Sequence, residues 1–189
     1  MIGEDIMIKI AVIDDEEIIR QGIVCLLQEA KGDYQVVGAF ENGQKALDFL
    51  VNYQVDVIIT DIRMPVMDGL SFIQKLKQIG GDYQIIILSG YDDFEYAQQA
   101  IHYGVKEYLL KPINKNELYA AIDRHAVKKA ETQERSAIAE VKKILEEEFD
   151  QPLDLNYLAS RVYLTPKYLS QLFRTETGIT LVRYLLSIR

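Results

Sequence analysis

The sequence predicts an α/β fold: a doubly wound sheet of five parallel strands, followed by a small all-α C-terminal segment. Three observations carry this. Apolar runs of strand length recur at residues 8–13, 35–40, 55–60, 84–88 and 107–110. They lack the polar alternation of a strand with one wet face, and each is followed by a stretch whose apolar residues recur at helical spacing. Strands that are apolar on both faces need a cover on each side, and helices alternating with them supply it.

Taken in order, the helices follow from their apolar faces. Ile18, Ile19, Ile23, Leu26 and Leu27 form one face after the first strand, and Ala46, Leu47 and Leu50 follow the second. Leu70, Ile73 and Leu76 follow the third, and Ala97 and Ile101 the fourth. A fifth helix is expected over residues 115–129, with Leu118, Ile122 and Ala126 on one side. The polar stretch 128–136 contains neither glycine nor proline, so the helix is expected to run on as a stiff connector. It would lead into an amphipathic helix with the stripe Ile138, Val141, Leu145 and Phe149, ended by Gln151-Pro152.

In a doubly wound sheet, ligands bind beyond the carboxyl ends of the strands. Asp14 and Asp15 end the first strand, Asp61 the third, Ser89 the fourth and Lys111 the fifth, so all are expected on one rim. Three carboxylates in a small cleft repel one another, and such a cluster implies a divalent cation to neutralise them and a lysine to add positive charge. Metal, nucleophile and counter-charge form the minimum kit for receiving a phosphoryl group.

Composition bounds the remaining possibilities. The 189 residues are 49% hydrophobic and 26% charged, as in ordinary globular chains with room for one sizeable domain and a small second one. The longest apolar runs fall far short of the roughly 20 residues that cross a bilayer, so no membrane association is expected. Glu4 and Asp5 stand where a secretory leader would be basic, and the single cysteine, Cys25, cannot form an internal disulfide; both favour a cytoplasmic location. Net charge is −8, unevenly placed: residues 151–189 hold 5 basic and 2 acidic residues, leaving 16 and 27 before them. The mildly basic tail is the part suited to a polyanion.

Residues 7 to about 127 resemble the receiver domain of a two-component response regulator. The motifs that carry the likeness are Ile-Asp-Asp-Glu-Glu at 13–17, Asp-Ile-Arg-Met-Pro-Val-Met-Asp-Gly at 61–69, Leu-Ser-Gly-Tyr at 88–91 and Tyr-Leu-Leu-Lys-Pro at 108–112. The resemblance implies a flavodoxin-like sheet of order 2-1-3-4-5 and a phosphoacceptor, Asp61, charged by a sensor histidine kinase. It implies a Mg²⁺ ion on Asp15 and Asp61, with Asp14 acting through water and the backbone carbonyl of Arg63 completing the set; sparse oxygen ligation suits that ion. Lys111 would pair with a phosphoryl oxygen, Ser89 would donate to it once it arrives, and Tyr108 would report the change as a switch. Tyr108 also reads as an ordinary half-buried strand tyrosine. Gly69 is expected to permit a turn, Pro112 matches the family's cis-peptide position, and His102 and His125 read as surface or packing residues. Homodimerisation on phosphorylation is the expected partner event.

From Leu155 the pattern is two short helices joined by a turn at Tyr163-Leu164, with Thr165 as N-cap and Pro166 at the first helical position. Leu158, Ala159, Leu169, Leu172 and Phe173 supply apolar contacts, leaving Lys167, Ser170, Gln171 and Arg174 on a face suited to the major groove of DNA. This run resembles the first half of the AraC-type DNA-binding domain, which has two helix-turn-helix units. The chain stops where the helix linking them begins, so specific DNA binding is expected to require the second. The domains expected are therefore 7–127, a receiver; 128–150, a connector with the first output helix; and 151–189, a partial helix-turn-helix domain.

Two other readings stay open. The tail could serve protein contacts alone. A phosphatase of the haloacid dehalogenase type would need an aspartate two residues after Asp61 as general acid; Arg63 stands there, so no turnover enzyme is expected.

Overall fold

A computed structural model describes residues 7–30, 32–81, 83–90, 94–149 and 153–188, with the side chains of residues 94, 95, 97 and 98 excepted. Five strands, β1 (Ile8–Ile13), β2 (Tyr34–Phe40), β3 (Val57–Asp61), β4 (Gln84–Ser89) and β5 (Glu107–Leu110), pair in the order β2-β1-β3-β4-β5, all parallel. Between and after them run α1 (Glu17–Glu29), α2 (Gly43–Leu50), α3 (Gly69–Ile79), α4 (Phe94–His102) and α5 (Lys115–Glu147). Three further helices follow: α6 (Leu155–Arg161), α7 (Pro166–Thr177) and α8 (Leu181–Ile188). The described residues divide into two compact units, within 7–126 and 127–188.

The strand period of two separates the first unit into two cores. Ile8, Ile10 and Val12 of β1 and Val57 and Ile59 of β3 face Ile23 and Leu27 of α1 and Leu118, Ala121 and Ile122 of α5. Ala11, Ile13 and Ile58 point the other way, onto Ala46, Leu47 and Leu50 of α2 and Phe72, Ile73 and Leu76 of α3. Both faces are covered, which is why these strands carry no polar alternation. Their carboxyl ends consequently share one rim.

Several expected details differ. Ile18 is 89% exposed, because it sits on the outer side of α1 while Ile23 and Leu27 take the sheet. In α4, Ala100 is buried and Ile101 exposed; the smaller side chain fits where the helix lies close. The side chain of Ala97 lies outside the described residues. β3 begins at Val57, although Val55 ahead of it is buried, and Asp61 is its last residue.

The second unit has its own core: Ile138, Val141, Ile144 and Leu145 of α5 against Leu158 and Ala159 of α6, Leu169, Leu172 and Phe173 of α7, and Leu181 of α8. α5 is a single helix of 33 residues; with no breaker between 115 and 147, connector and amphipathic helix are one element. Ile144 completes its buried stripe, and Phe149, beyond the helix end, is exposed. Gln151-Pro152 lies outside the described residues. Thr165 caps α7 by accepting from the Tyr168 N–H, Asp154 caps α6 by accepting from the Tyr157 N–H, and Gly178 closes α7 at φ 75°. The hydroxyls of Tyr157, Tyr168 and Tyr184 donate to Glu148, Glu134 and Glu146, tying each of these helices to the α5 side.

Candidate functional site

The rim is built by the strand ends. Asp14 follows β1, held by its N–H to Phe40 O at 3.0 Å; Lys111 follows β5, held by its N–H to Ser89 O at 2.7 Å, and the Lys111–Pro112 peptide is cis. Lys111 Nζ lies 2.9 Å from both Asp14 Oδ2 and Asp61 Oδ2. Asp61 Oδ1 accepts from the Ile62 N–H at 2.7 Å, and Asp14 Oδ1 from the Glu16 N–H at 2.9 Å. Asp14, Asp15 and Asp61 each offer a carboxylate oxygen within 4.8 Å of the others. Asp14 and Asp61 are buried and Asp15 is exposed, so the cluster opens to solvent at one corner.

Burial raises the pKa of Asp14 above the ordinary carboxylate range, and Lys111 offsets part of that rise. Asp61 is raised for the same first reason, with the neighbouring Asp14 charge adding to it. Burial works against the Lys111 ammonium too, but Asp61 and Asp14 outweigh it and hold the lysine above its usual value. The cluster thus carries more negative charge than one ammonium neutralises. Asp14 Oδ2 is buried, with the Lys111 ammonium as its charge partner. Three hard oxygen donors around one point, with a single ammonium beside them, fit a small divalent cation.

Ser89 is fully buried at the end of β4; its hydroxyl donates to Gly90 O at 2.8 Å and accepts from the Tyr108 hydroxyl. The Arg63 side chain is exposed, its guanidinium 5.5 Å from the centre of the Tyr96 ring of α4. Gly69 is not a positive-φ glycine. A Cβ there would lie 2.2 Å from Asp61 O and 3.0 Å from Ile62 Cα, so the absence of a side chain lets α3 start against the end of β3. The positive φ in this loop belongs to Val66, at 69°. His102 is exposed and His125 buried in α5, both outside the carboxylate cluster.

Lys167, Ser170, Gln171 and Arg174 line a concavity of about 640 Å³ on the second unit, together with Leu155, Thr175 and Thr180. The last two were not evident from the helical spacing. Arg20 was also missed: its Nη1 donates to Asp14 O at 2.6 Å. A cation in the first turns of a helix opposes the helix dipole, and that local conflict is the signal that could have singled it out.

Sheet order, helical cover and an acidic rim with one lysine define a signalling receiver. Residues 10–123 match the family model of the response regulator receiver domain, and the chain belongs to that family. A transcriptional regulatory protein of Bacillus subtilis, YesN, is 39% identical over 117 residues, 62% of this chain and 32% of that protein, so the chain matches about a third of that relative's length. The transcriptional regulatory protein HptR of Staphylococcus aureus is 26% identical over 201 residues, covering 95% of this chain and 79% of the relative. Among solved structures, the REC domain of AraT, a response regulator from Geobacillus stearothermophilus, superposes with TM-score 0.61 at 33% identity, over 68% of this chain and 99% of that one. A response regulator receiver domain protein from Clostridium thermocellum gives 0.58 at 34%, over 65% and 97%.

Proposed function

We propose that this chain is a cytoplasmic response regulator of a two-component phosphorelay that controls transcription. Asp61 attacks the phosphorus of a phosphohistidine on a sensor kinase; the P–N bond breaks, an acyl phosphate forms, and the imidazole leaves with a proton. The observation that carries this is the position of Lys111 Nζ, 2.9 Å from both Asp14 and Asp61 at the mouth of a three-carboxylate cluster. Asp14, Asp15 and Asp61, with the Arg63 carbonyl, would hold Mg²⁺, which neutralises charge on the transferring group. Lys111 pairs with a phosphoryl oxygen, and Ser89 exchanges its bond to Gly90 O for one to the phosphoryl group, with Tyr108 following. The receiver then pairs with a second copy. Residues 128–150 act as connector and first output helix, and 151–189 as a partial AraC-type domain that meets DNA through Lys167, Ser170, Gln171 and Arg174.

The test is intact mass after incubation with a small acyl-phosphate donor, with and without Mg²⁺, on the wild type and Asp61→Asn. A Mg²⁺-dependent phosphoryl adduct absent from Asp61→Asn is expected; an adduct of equal yield in that variant would overturn the assignment.

A second reading of the tail rests on α8, where Val182 and Leu186, one turn apart, are 69% and 68% exposed. Such a pair suits a protein contact. Binding to DNA that is absent even when a second helix-turn-helix is appended would favour it.

A further inference from the structure

β1 ends at Ile13; Asp14, whose N–H still donates to Phe40 O of β2, and Asp15 open the turn that leads to α1. That turn must nonetheless be rigid if two adjacent carboxylates are to face one point. The Asp14 carboxylate is tied by Lys111 and by the Glu16 N–H, while Glu16, the residue preceding α1, makes no side-chain cap. The backbone carbonyls of the turn are held by Arg20, one turn into α1, whose Nη1 donates to Asp14 O at 2.6 Å and lies 3.5 Å from Asp15 O. A hydrogen bond with an ionised donor is about twice as strong as a neutral one. The guanidinium stands at the helix end where the dipole disfavours a cation, so its placement is maintained by these carbonyl contacts rather than by its own helix.

We propose that Arg20 is a positioning residue for the acidic cluster: its guanidinium clamps the backbone of the Asp14-Asp15 turn so that both carboxylates face the cation bound there. It touches neither the phosphoryl group nor the cation. This inference rests on the phosphoacceptor reading above. Partners that orient metal ligands without touching the metal change affinity by about 10- to 100-fold when removed, and Arg20 should fall at the lower end, since Asp14 keeps its bond to Glu16.

The experiment is a Mg²⁺ titration of thermal unfolding on the full chain, for the wild type, Arg20→Ala and Arg20→Lys, with the initial rate of phosphoryl uptake from a small donor measured across the same concentrations. In Arg20→Ala the half-saturating Mg²⁺ should rise about 10-fold in both measurements, while the rate at saturating Mg²⁺ stays near that of the wild type. Arg20→Lys, which keeps the charge but loses the planar guanidinium N–H that reaches both carbonyls, should rise about threefold; it carries the test if Arg20→Ala does not fold. Unchanged half-saturation in both variants overturns the proposal, as does a fall in the saturated rate at unchanged half-saturation, which would place the guanidinium on the phosphoryl group. A wild type that shows no Mg²⁺ response overturns the phosphoacceptor reading and this inference together; a responsive wild type with silent variants overturns this inference alone.

Discussion

The Tyr108 hydroxyl donates a hydrogen bond to Ser89 Oγ across the β4–β5 pair, while Ser89 gives its own proton to Gly90 O. One hydroxyl therefore stands between the aromatic ring and the rim, and a phosphoryl group that takes the Ser89 proton must draw it away from Gly90. Tyr108→Phe should cost about 1 kcal/mol in urea unfolding. If the chain pairs on phosphorylation as proposed, phosphoryl uptake by mass should be unchanged while that pairing weakens in size-exclusion chromatography. Full dimerisation in Tyr108→Phe would remove the ring hydroxyl from the switch.

Asp61 and Asp14 hold their protons above the ordinary value of 3.8, chiefly through burial. The unfolded chain releases them near 3.8, so stability of the metal-free protein falls as pH rises from there through the elevated folded values, and levels off above them. Asp61→Asn removes one of these charges and leaves Lys111 paired with Asp14. Its melting temperature in EDTA should match the wild type in acid and exceed it near neutrality, by on the order of 1 kcal/mol or a few degrees. A gap independent of pH would show that charge is not the cause.

Gly69 and Val66 should respond in opposite directions. Gly69→Ala forces a Cβ onto the Asp61 carbonyl and should cost about 3 kcal/mol together with much of the phosphoryl uptake. Val66, β-branched at φ 69° and 85% exposed, loses strain and almost no packing as glycine. Val66→Gly should gain about 0.5–1 kcal/mol, read as a rise of a few degrees in thermal unfolding.

Thr165→Ala removes the acceptor for the Tyr168 N–H at the start of α7 and should cost the helical unit about 1 kcal/mol, visible as a lower midpoint in circular dichroism. Loss of helix without any shift of midpoint would mean that α7 frays independently of its core.

Lys167→Ala and Arg174→Ala, tested in a chain extended by a second helix-turn-helix unit, should each lower the slope of log affinity against log salt by about 1 if the side chain meets a phosphate. An unchanged slope would turn that face of α7 away from DNA.

The alternation of strand and helix was legible in the sequence, because apolar period is a short-range property written into consecutive residues. Parallel alternation also sends Asp14, Asp61, Ser89 and Lys111 to one end of the sheet, and the cap at Thr165 is equally local. Contacts between elements were decided elsewhere. That Lys111 is shared between Asp14 and Asp61, 97 and 50 residues away, depends on β1, β3 and β4 lying in that order between the edges. That Ile18 and Ile101 face solvent while Ile23 and Ala100 are buried depends on the angle at which each helix meets the sheet, since an apolar stripe is wider than the line of contact. Arg20 reaching back to Asp14 O, and Gly69 lying against Asp61 O, are matters of ångström clearance between segments. Periodicity selects the faces that pack; only the packed structure sets which atoms come within bonding distance, because that follows from the volumes of all the side chains between them.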